Sequence, residues 1–241
     1  MRFFILTIYP EVFSSFLSTG LIGRALNEKR IEVETIDFRK HGIGRHAHVD
    51  AAPYGGGAGM LLRPEPILET LEELETRFEK QKLHKILISP RGKPFNQAKA
   101  KELSKRTEPL VLVCGRFEGF DERIRQFVDE EISIGDFVLM GGEVASMSII
   151  EAVSRLIPGV IGNESSLEQE SFGNHLLEHA QYTRPQEFRG KQVPDVLLSG
   201  DHQKIRNWRQ ADALEKTREN RADLYEKFLQ DGRSNRDRKD H

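Results

Sequence analysis

Cysteine is nearly absent. A single one, Cys114, stands among 241 residues, so no internal disulfide can form and the disulfide-stapled secreted scaffolds are excluded. Long hydrophobic runs are absent too. Nothing approaches the ~18 apolar residues of a membrane-spanning helix, and the N-terminal stretch MRFFILTIYP is too short, and too soon broken by Pro10, for a secretory signal. The expectation is a soluble, cytoplasmic protein with no membrane partner. An excess of one charge is also missing: 36 Lys and Arg face 38 Asp and Glu, a net charge of −2. That excludes coating of nucleic acid by bulk charge and leaves room only for a local basic patch. Neither G-x-G-x-x-G after the first strand nor G-x-x-x-x-G-K-[ST] occurs, which removes the common dinucleotide and phosphate-loop sites.

What is present is an alternation of strand and helix patterns. RFFILTIYP (2–10) reads as a buried strand, 11–30 as helical, and IEVETIDF (31–38) alternates as a strand does. KILISP (85–90), PLVLVCG (109–115) and DFVLMGG (136–142) are short apolar runs of the buried parallel-sheet kind. The stretches 64–80, 96–106 and 121–131 between them read as helices, and an apolar helix follows Gly142 and closes at Pro158-Gly159. The pattern predicts an α/β fold with a mostly parallel sheet. After Gly162 the sequence turns polar and weakly periodic, which predicts a flexible segment, then charged helices over 203–217 and 218–230 and a frayed tail.

Glycines gather where strands end: Gly92, Gly115 with Gly119, Gly135, and Gly141 with Gly142, besides PYGGGAGM at 53–60. Ligands of open α/β sheets bind outside the carboxyl ends of the strands. The clustering predicts one concave site lined by backbone groups and small apolar side chains such as Ile134 and Leu139, suited to a flat hydrogen-bonding ligand such as an adenine. HLLEH (175–179) matches the H-x-x-E-H zinc signature, but Gly173-Asn174 and Pro185 leave it little helix and no third ligand follows. His41, His46 and His48 read as solvated loop residues, and Cys114 as a buried thiol at a strand end rather than a nucleophile.

Taken together, PYGGGAGM, LISPRGKPF, VCGRFEGFDER, SIGDFVLMGGE, RLIPGVIG, ESF…LLE…QYTRP and VPDVLLSGDHQKI…W closely resemble, in order and separation, the bacterial tRNA (guanine-N1)-methyltransferases. The resemblance runs from residue 1 to about Arg209 and is weaker beyond. It implies transfer of a methyl group from S-adenosylmethionine to N1 of the guanine just 3′ of the anticodon (position 37), on a SPOUT-type fold whose parallel sheet carries a deep trefoil knot. Implied with it are a knotted cofactor domain over 1–160, a flexible linker over 161–175 and a helical tRNA-binding domain over 176–241. The implied cofactor contacts are Pro90, Gly115, Phe117, Glu118, Gly119, Ile134, Gly135, Leu139, Gly141 and Gly142. Phe117 stands where the family commonly has tyrosine, so the ring remains and a hydroxyl is lost.

The chemistry sets further expectations. Guanine N1 carries a proton at neutral pH and must lose it to a general base before it attacks a methyl group. Charge then gathers on O6, where a guanidinium stabilises it. By the resemblance Arg155 is that arginine, and Glu170 occupies the place of the family's aspartate base, with Glu168 as the rival. Asp50, Ser166, Tyr182 and Arg184 match positions that touch substrate or order the loop. An obligate homodimer with the active site at its interface is implied, and Lys204, Arg206, Arg209, Arg218 and Arg221 are the candidates for a tRNA clamp. The sequence leaves Mg²⁺ dependence open. The alternatives are a noncatalytic tRNA-binding relative and, through HLLEH, a zinc metalloprotease.

Overall fold

The apolar run Arg2–Thr7 (β1) is a strand buried on both faces, because its odd and even side chains go into different cores. Phe3 and Ile5 pack on one face and Phe4 and Leu6 on the other. The computed structural model describes residues 1–79, 82–162 and 170–237. In it the chain forms two compact units, Met1–Gly162 and Asn163–His241.

In the first unit, β1 is joined by Glu32–Asp37 (β2), His84–Pro94 (β5), Leu110–Cys114 (β6) and Glu130–Ser133 (β7) in one five-stranded sheet of order β2-β1-β6-β5-β7. Every pairing in it is parallel. Two short strands, Asp50–Ala51 (β3) and Leu61–Leu62 (β4), pair antiparallel outside it. Ser14–Ser18 (α1), Gly20–Asn27 (α2), Gln97–Ser104 (α4) and Glu143–Ser154 (α5) are the α-helices flanking the first core, to which α2, α4 and α5 give buried residues. Pro64–Arg77 (α3) covers the other face through Ile67, Leu71 and Leu74. Helices on both faces explain why β6, buried throughout, is an uninterrupted apolar run.

Two expectations fail here. The apolar stretch 136–142 is a loop, not a strand; the strand is β7, whose sequence EEIS hides its buried half behind two glutamates. The stretch 121–131, read as helix, is a short 3₁₀ turn at Glu122–Phe127 that runs into β7. Cys114 is buried as expected and lies 3.2 Å from Ser146 Oγ, with burial pushing its thiol pKa up.

At the amino ends of β5 and β7, Glu130 is 2.6 Å from His84 Nε2 and 2.6 Å from Lys99 Nζ. Burial alone would raise the Glu130 carboxyl, but the hydrogen bonds from His84 and Lys99 overcome it and hold the pKa at about 2, down from 4.5. A depressed acid stabilises the fold above its unfolded value. That stability is lost as pH falls from 4.5 toward 2. Glu130→Gln is therefore expected to lower the melting temperature at pH 7 by about 2–4 °C, on the order of 1 kcal/mol. The deficit should shrink through the acid window; a deficit that stays constant across it would contradict this assignment.

The second unit is held by His202–Asn220 (α7) packed on Ala222–Asp237 (α8), with Ala213, Thr217 and Leu224 buried. The hairpin of Glu187–Phe188 (β8) with Lys191–Gln192 (β9) and the short helix Asp195–Leu198 (α6) precede them. α7 begins on an N-cap, where the Asp201 carboxylate accepts the N–H groups of Gln203 and Lys204. No helix among the described residues is long and apolar enough to cross a membrane.

Candidate functional site

Three strands send their carboxyl ends to the same place. β5 bulges out between Ile88 and Lys93, both of which register against Ile132, and the bulge carries Pro90. β6 ends at Cys114 and continues into residues 115–121, and β7 ends at Ser133 and continues into 134–142. Together they enclose a cavity of about 480 Å³, a size suited to a small organic ligand. All ten residues that the resemblance implies as cofactor contacts line it.

The two loops are joined directly. The Gly142 N–H donates to the Gly115 carbonyl at 2.9 Å, and Arg116 and Gly141 form an antiparallel bridge. A Cβ at Gly142 would lie 2.8 Å from Cys114 Cα and 2.9 Å from Gly115 N, both backbone atoms. Gly142 is therefore required by backbone meeting backbone. Phe117 adopts φ +57°, a left-handed conformation that costs a bulky residue about 1–3 kcal/mol, and its ring is half exposed on the cavity.

The glycine-rich loop approaches the same site from outside. The Glu118 N–H donates to Met60 O at 3.0 Å, and a Cβ at Gly59 would lie 2.4 Å from Glu118 Cγ. Next to it, the Leu62 N–H donates to Gly119 O at 2.8 Å. Since Asp50 pairs with Leu62 across β3 and β4, a short ladder runs from Asp50 to the cavity wall. Sequence reasoning missed Arg116, which is half-buried and also lines the cavity, and its buried ion-pair partner Glu143; the carboxylate after Gly141-Gly142 was the available signal.

Arg155 caps the carboxyl end of α5, half-buried, its N–H donating to Glu151 O at 3.1 Å. Glu170 belongs to the other unit, half-buried at the start of a turn in which its carbonyl accepts the Gly173 N–H at 3.2 Å. Ser166 and Glu168, with the 163–169 part of the expected linker, lie outside the described residues. Tyr182 and Arg184 line a second cavity, of about 580 Å³, together with His179 and Arg209. The Trp208 ring stands 6.3 Å from that of Tyr182 and 6.5 Å from that of His179. The exposed Tyr182 ring and the exposed guanidinium groups of Arg184 and Arg209 suit stacking against bases and pairing with phosphates.

HLLEH is not helical, so its two histidines do not share a helix face. The motif and the residue after it are tied to α7: the Leu177 N–H donates to Thr217 Oγ1 at 2.8 Å and the Ala180 N–H to the Asp212 carboxylate at 2.6 Å. His175 pairs with Asp231 and His179 Nδ1 with the Ala180 carbonyl. Among the described residues no group of three or more His, Cys, Asp or Glu could hold a metal ion. Of the basic candidates, Lys204, Arg206, Arg209 and Arg218 are exposed, Lys204 pairing with Asp201 at 3.3 Å and Arg206 donating to Gln203 at 2.7 Å, whereas Arg221 is half-buried and engaged with Asp223 at 2.7 Å.

The family model for tRNA (Guanine-1)-methyltransferase TrmD matches residues 1–227. A curated tRNA (guanine-N(1)-)-methyltransferase of Clostridium beijerinckii is 49% identical, over 95% of this chain and 93% of its own. Proteins of the same name from Latilactobacillus sakei and Sorangium cellulosum are each 47% identical. The first alignment covers 95% of this chain and 92% of the relative, the second 94% of each. With a match of this extent and a glycine-walled cavity at the ends of a parallel sheet, the chain belongs to the tRNA (guanine-1)-methyltransferase family.

Proposed function

We propose that the protein methylates N1 of guanine 37 in tRNA, using S-adenosylmethionine. The observation that carries this reading is the cavity at the carboxyl ends of β5, β6 and β7, in a chain that matches the family over 1–227. The cavity fits an adenosyl group: its walls combine the backbone of Gly115, Gly119, Gly135 and Gly141 with the apolar surfaces of Ile134, Leu139 and Phe117. When bound there, S-adenosylmethionine supplies an electrophilic methyl group on a sulfonium. The direct loop-to-loop bonds at Gly115 and Gly142 are in keeping with the family's trefoil knot, threaded at this point. The test is methyl transfer from labelled cofactor to unmodified tRNA, with 1-methylguanosine as the only labelled nucleoside after digestion.

The residues divide the work. Glu170 accepts the N1 proton; Arg155 donates to O6 as charge builds there. Asp50 contacts the target guanine, which leaves a single-stranded anticodon loop at little cost, and Ser166 touches RNA or orders the loop. Tyr182 and Arg184 face RNA from the second cavity, in a tRNA-binding domain over 176–241 that follows the 161–175 linker. The whole functions in the cytoplasm.

The active form is a homodimer that shares each site between two chains, the base coming from the partner's linker. In support, Val138 and Met140 are 84% and 92% exposed beside the cavity, an apolar surface suited to cover by a second copy. Mixing Arg155→Ala with Glu170→Gln chains is expected to restore activity in heterodimers that neither homodimer has. A fully active monomer in sedimentation would refute the shared site.

The tRNA clamp is local, as near-neutral total charge requires, and centres on Lys204, Arg206 and Arg209 along α7. Reversing charge at Lys204 and Arg206 is expected to weaken tRNA binding about tenfold or more and to flatten its salt dependence by close to two unit slopes. Cofactor affinity should not change. An unaltered salt slope would place the clamp elsewhere.

A further inference from the structure

Glu143 is a carboxylate only 2% exposed, on the first turn of α5, and the proposed mechanism does not use it. Burying such a group is costly unless it is paired. Its Oε1 accepts the hydroxyl of Thr7 at 2.7 Å and Nε–H of Arg116 at 3.1 Å. Its Oε2 lies 2.9 Å from Arg116 Nη2. Thr7, also buried, accepts the Tyr9 N–H, and the Arg116 guanidinium lies 4.5 Å from the centre of the Tyr9 ring. Arg116 Nη1 reaches on to the Met140 carbonyl. The network thus fastens three separate pieces of chain: the end of β1, the loop after β6 and the loop before α5.

The last two are walls of the proposed cofactor cavity. A Cβ at Gly141 would lie 2.4 Å from Arg116 Nε and 2.5 Å from Glu143 Oε2, so a side chain there would have to displace the pair. Two backbone contacts alone, Gly142 with Gly115 and Gly141 with Arg116, would leave the width of the cavity mouth to the flexibility of the exposed loop 136–140. The Arg116–Glu143 ion pair, its carboxylate buried and its guanidinium half-buried, sets that spacing more stiffly.

We propose that Glu143 is a positioning residue: through Arg116 and Thr7 it holds the 115–119 and 134–142 loops at the separation that admits S-adenosylmethionine. This rests on the reading of the cavity as the cofactor site. Loss of the carboxylate acts on cofactor affinity and on KM for the cofactor. tRNA affinity, and kcat at saturating cofactor, change little.

The test is calorimetry of S-adenosylmethionine binding, with tRNA binding and melting temperature measured alongside. Glu143→Gln keeps the shape and removes the charge; it is expected to weaken cofactor binding about tenfold and leave tRNA binding within about twofold. Arg116→Met should do the same, and the double variant should be no worse than either alone, because the two act as one unit. Thr7→Val, a milder change, should weaken binding about threefold, and it decides the matter should Glu143→Gln not fold. Unchanged cofactor affinity in these variants, additive losses, or an equal loss of tRNA binding would overturn the proposal. Ile134→Trp, which fills the cavity, separates the two claims. If it leaves cofactor binding intact, the cavity is not the cofactor site. If it abolishes binding while Glu143→Gln does not, only the role of Glu143 fails.

Discussion

Glu170→Gln is expected to slow methyl transfer by about 10²–10⁴-fold, the usual contribution of a general base, while cofactor and tRNA still bind. Glutamine keeps the length and shape of the side chain and cannot take the N1 proton. The turn that carries Glu170 is closed by its main-chain carbonyl, which accepts the Gly173 N–H and is the same in both side chains, so the local fold survives. Raising the pH should recover part of the rate, because guanine N1 then begins to ionise without help. Glu170→Asp puts in the residue the resemblance implies at this place and should remain active, because the carboxylate is kept and the shift of about 1 Å in reach costs about 10²-fold at most. Glu168→Gln should change little. If Glu168→Gln abolishes the reaction and Glu170→Gln does not, the base lies two residues earlier.

Gly142→Ala is expected to weaken S-adenosylmethionine binding by about 10–100-fold. The added methyl group meets Cys114 Cα at 2.8 Å and Gly115 N at 2.9 Å, and neither atom belongs to a side chain that can turn away. One wall of the cavity must move, and overpacking of this kind costs about 1–3 kcal/mol, or roughly ten- to a hundredfold in affinity where the bound form bears it. Calorimetry on the folded fraction reads the loss directly. Gly119 is the internal comparison: a Cβ there meets nothing within 4 Å, though φ +109° strains it, so Gly119→Ala should lower stability more than cofactor affinity. Equal affinities for wild type and Gly142→Ala would mean that the 115–142 contact does not shape the binding site.

Much of the first unit was legible because burial on both faces leaves an unbroken apolar run, as in Leu110–Cys114, and because the helix over Pro64–Arg77 repeats its apolar positions at helical spacing. The loop 136–140 was misread for the same reason. Phe137, Val138, Leu139 and Met140 are as apolar as a core strand, and composition does not tell a buried run from an exposed one. β7 was missed because Glu130 and Glu131 stand in it, each held by cations from other elements: Lys99 for the first and Arg125 for the second. HLLEH has the spacing of a zinc helix, but Thr217 of α7, forty positions away, takes the Leu177 N–H, and Asp212 takes that of Ala180 just after the motif. Such distant partners leave no local trace. The glycines marked the cavity because they sit at strand ends. Glu143 showed only as one more acidic residue, since its importance lies in Arg116 and Thr7, which converge on it from 27 and 136 positions away.

The central claim, methylation of guanine N1 at the position 3′ of the anticodon, is tested most directly by primer extension on an unmodified tRNA transcript incubated with the protein and S-adenosylmethionine. A methyl group on N1 blocks Watson–Crick pairing and halts the polymerase. The account predicts a stop immediately 3′ of that guanine, dependent on the cofactor and absent when adenine replaces the guanine. A stop at another nucleotide, or full-length product with tRNA bound, would contradict it.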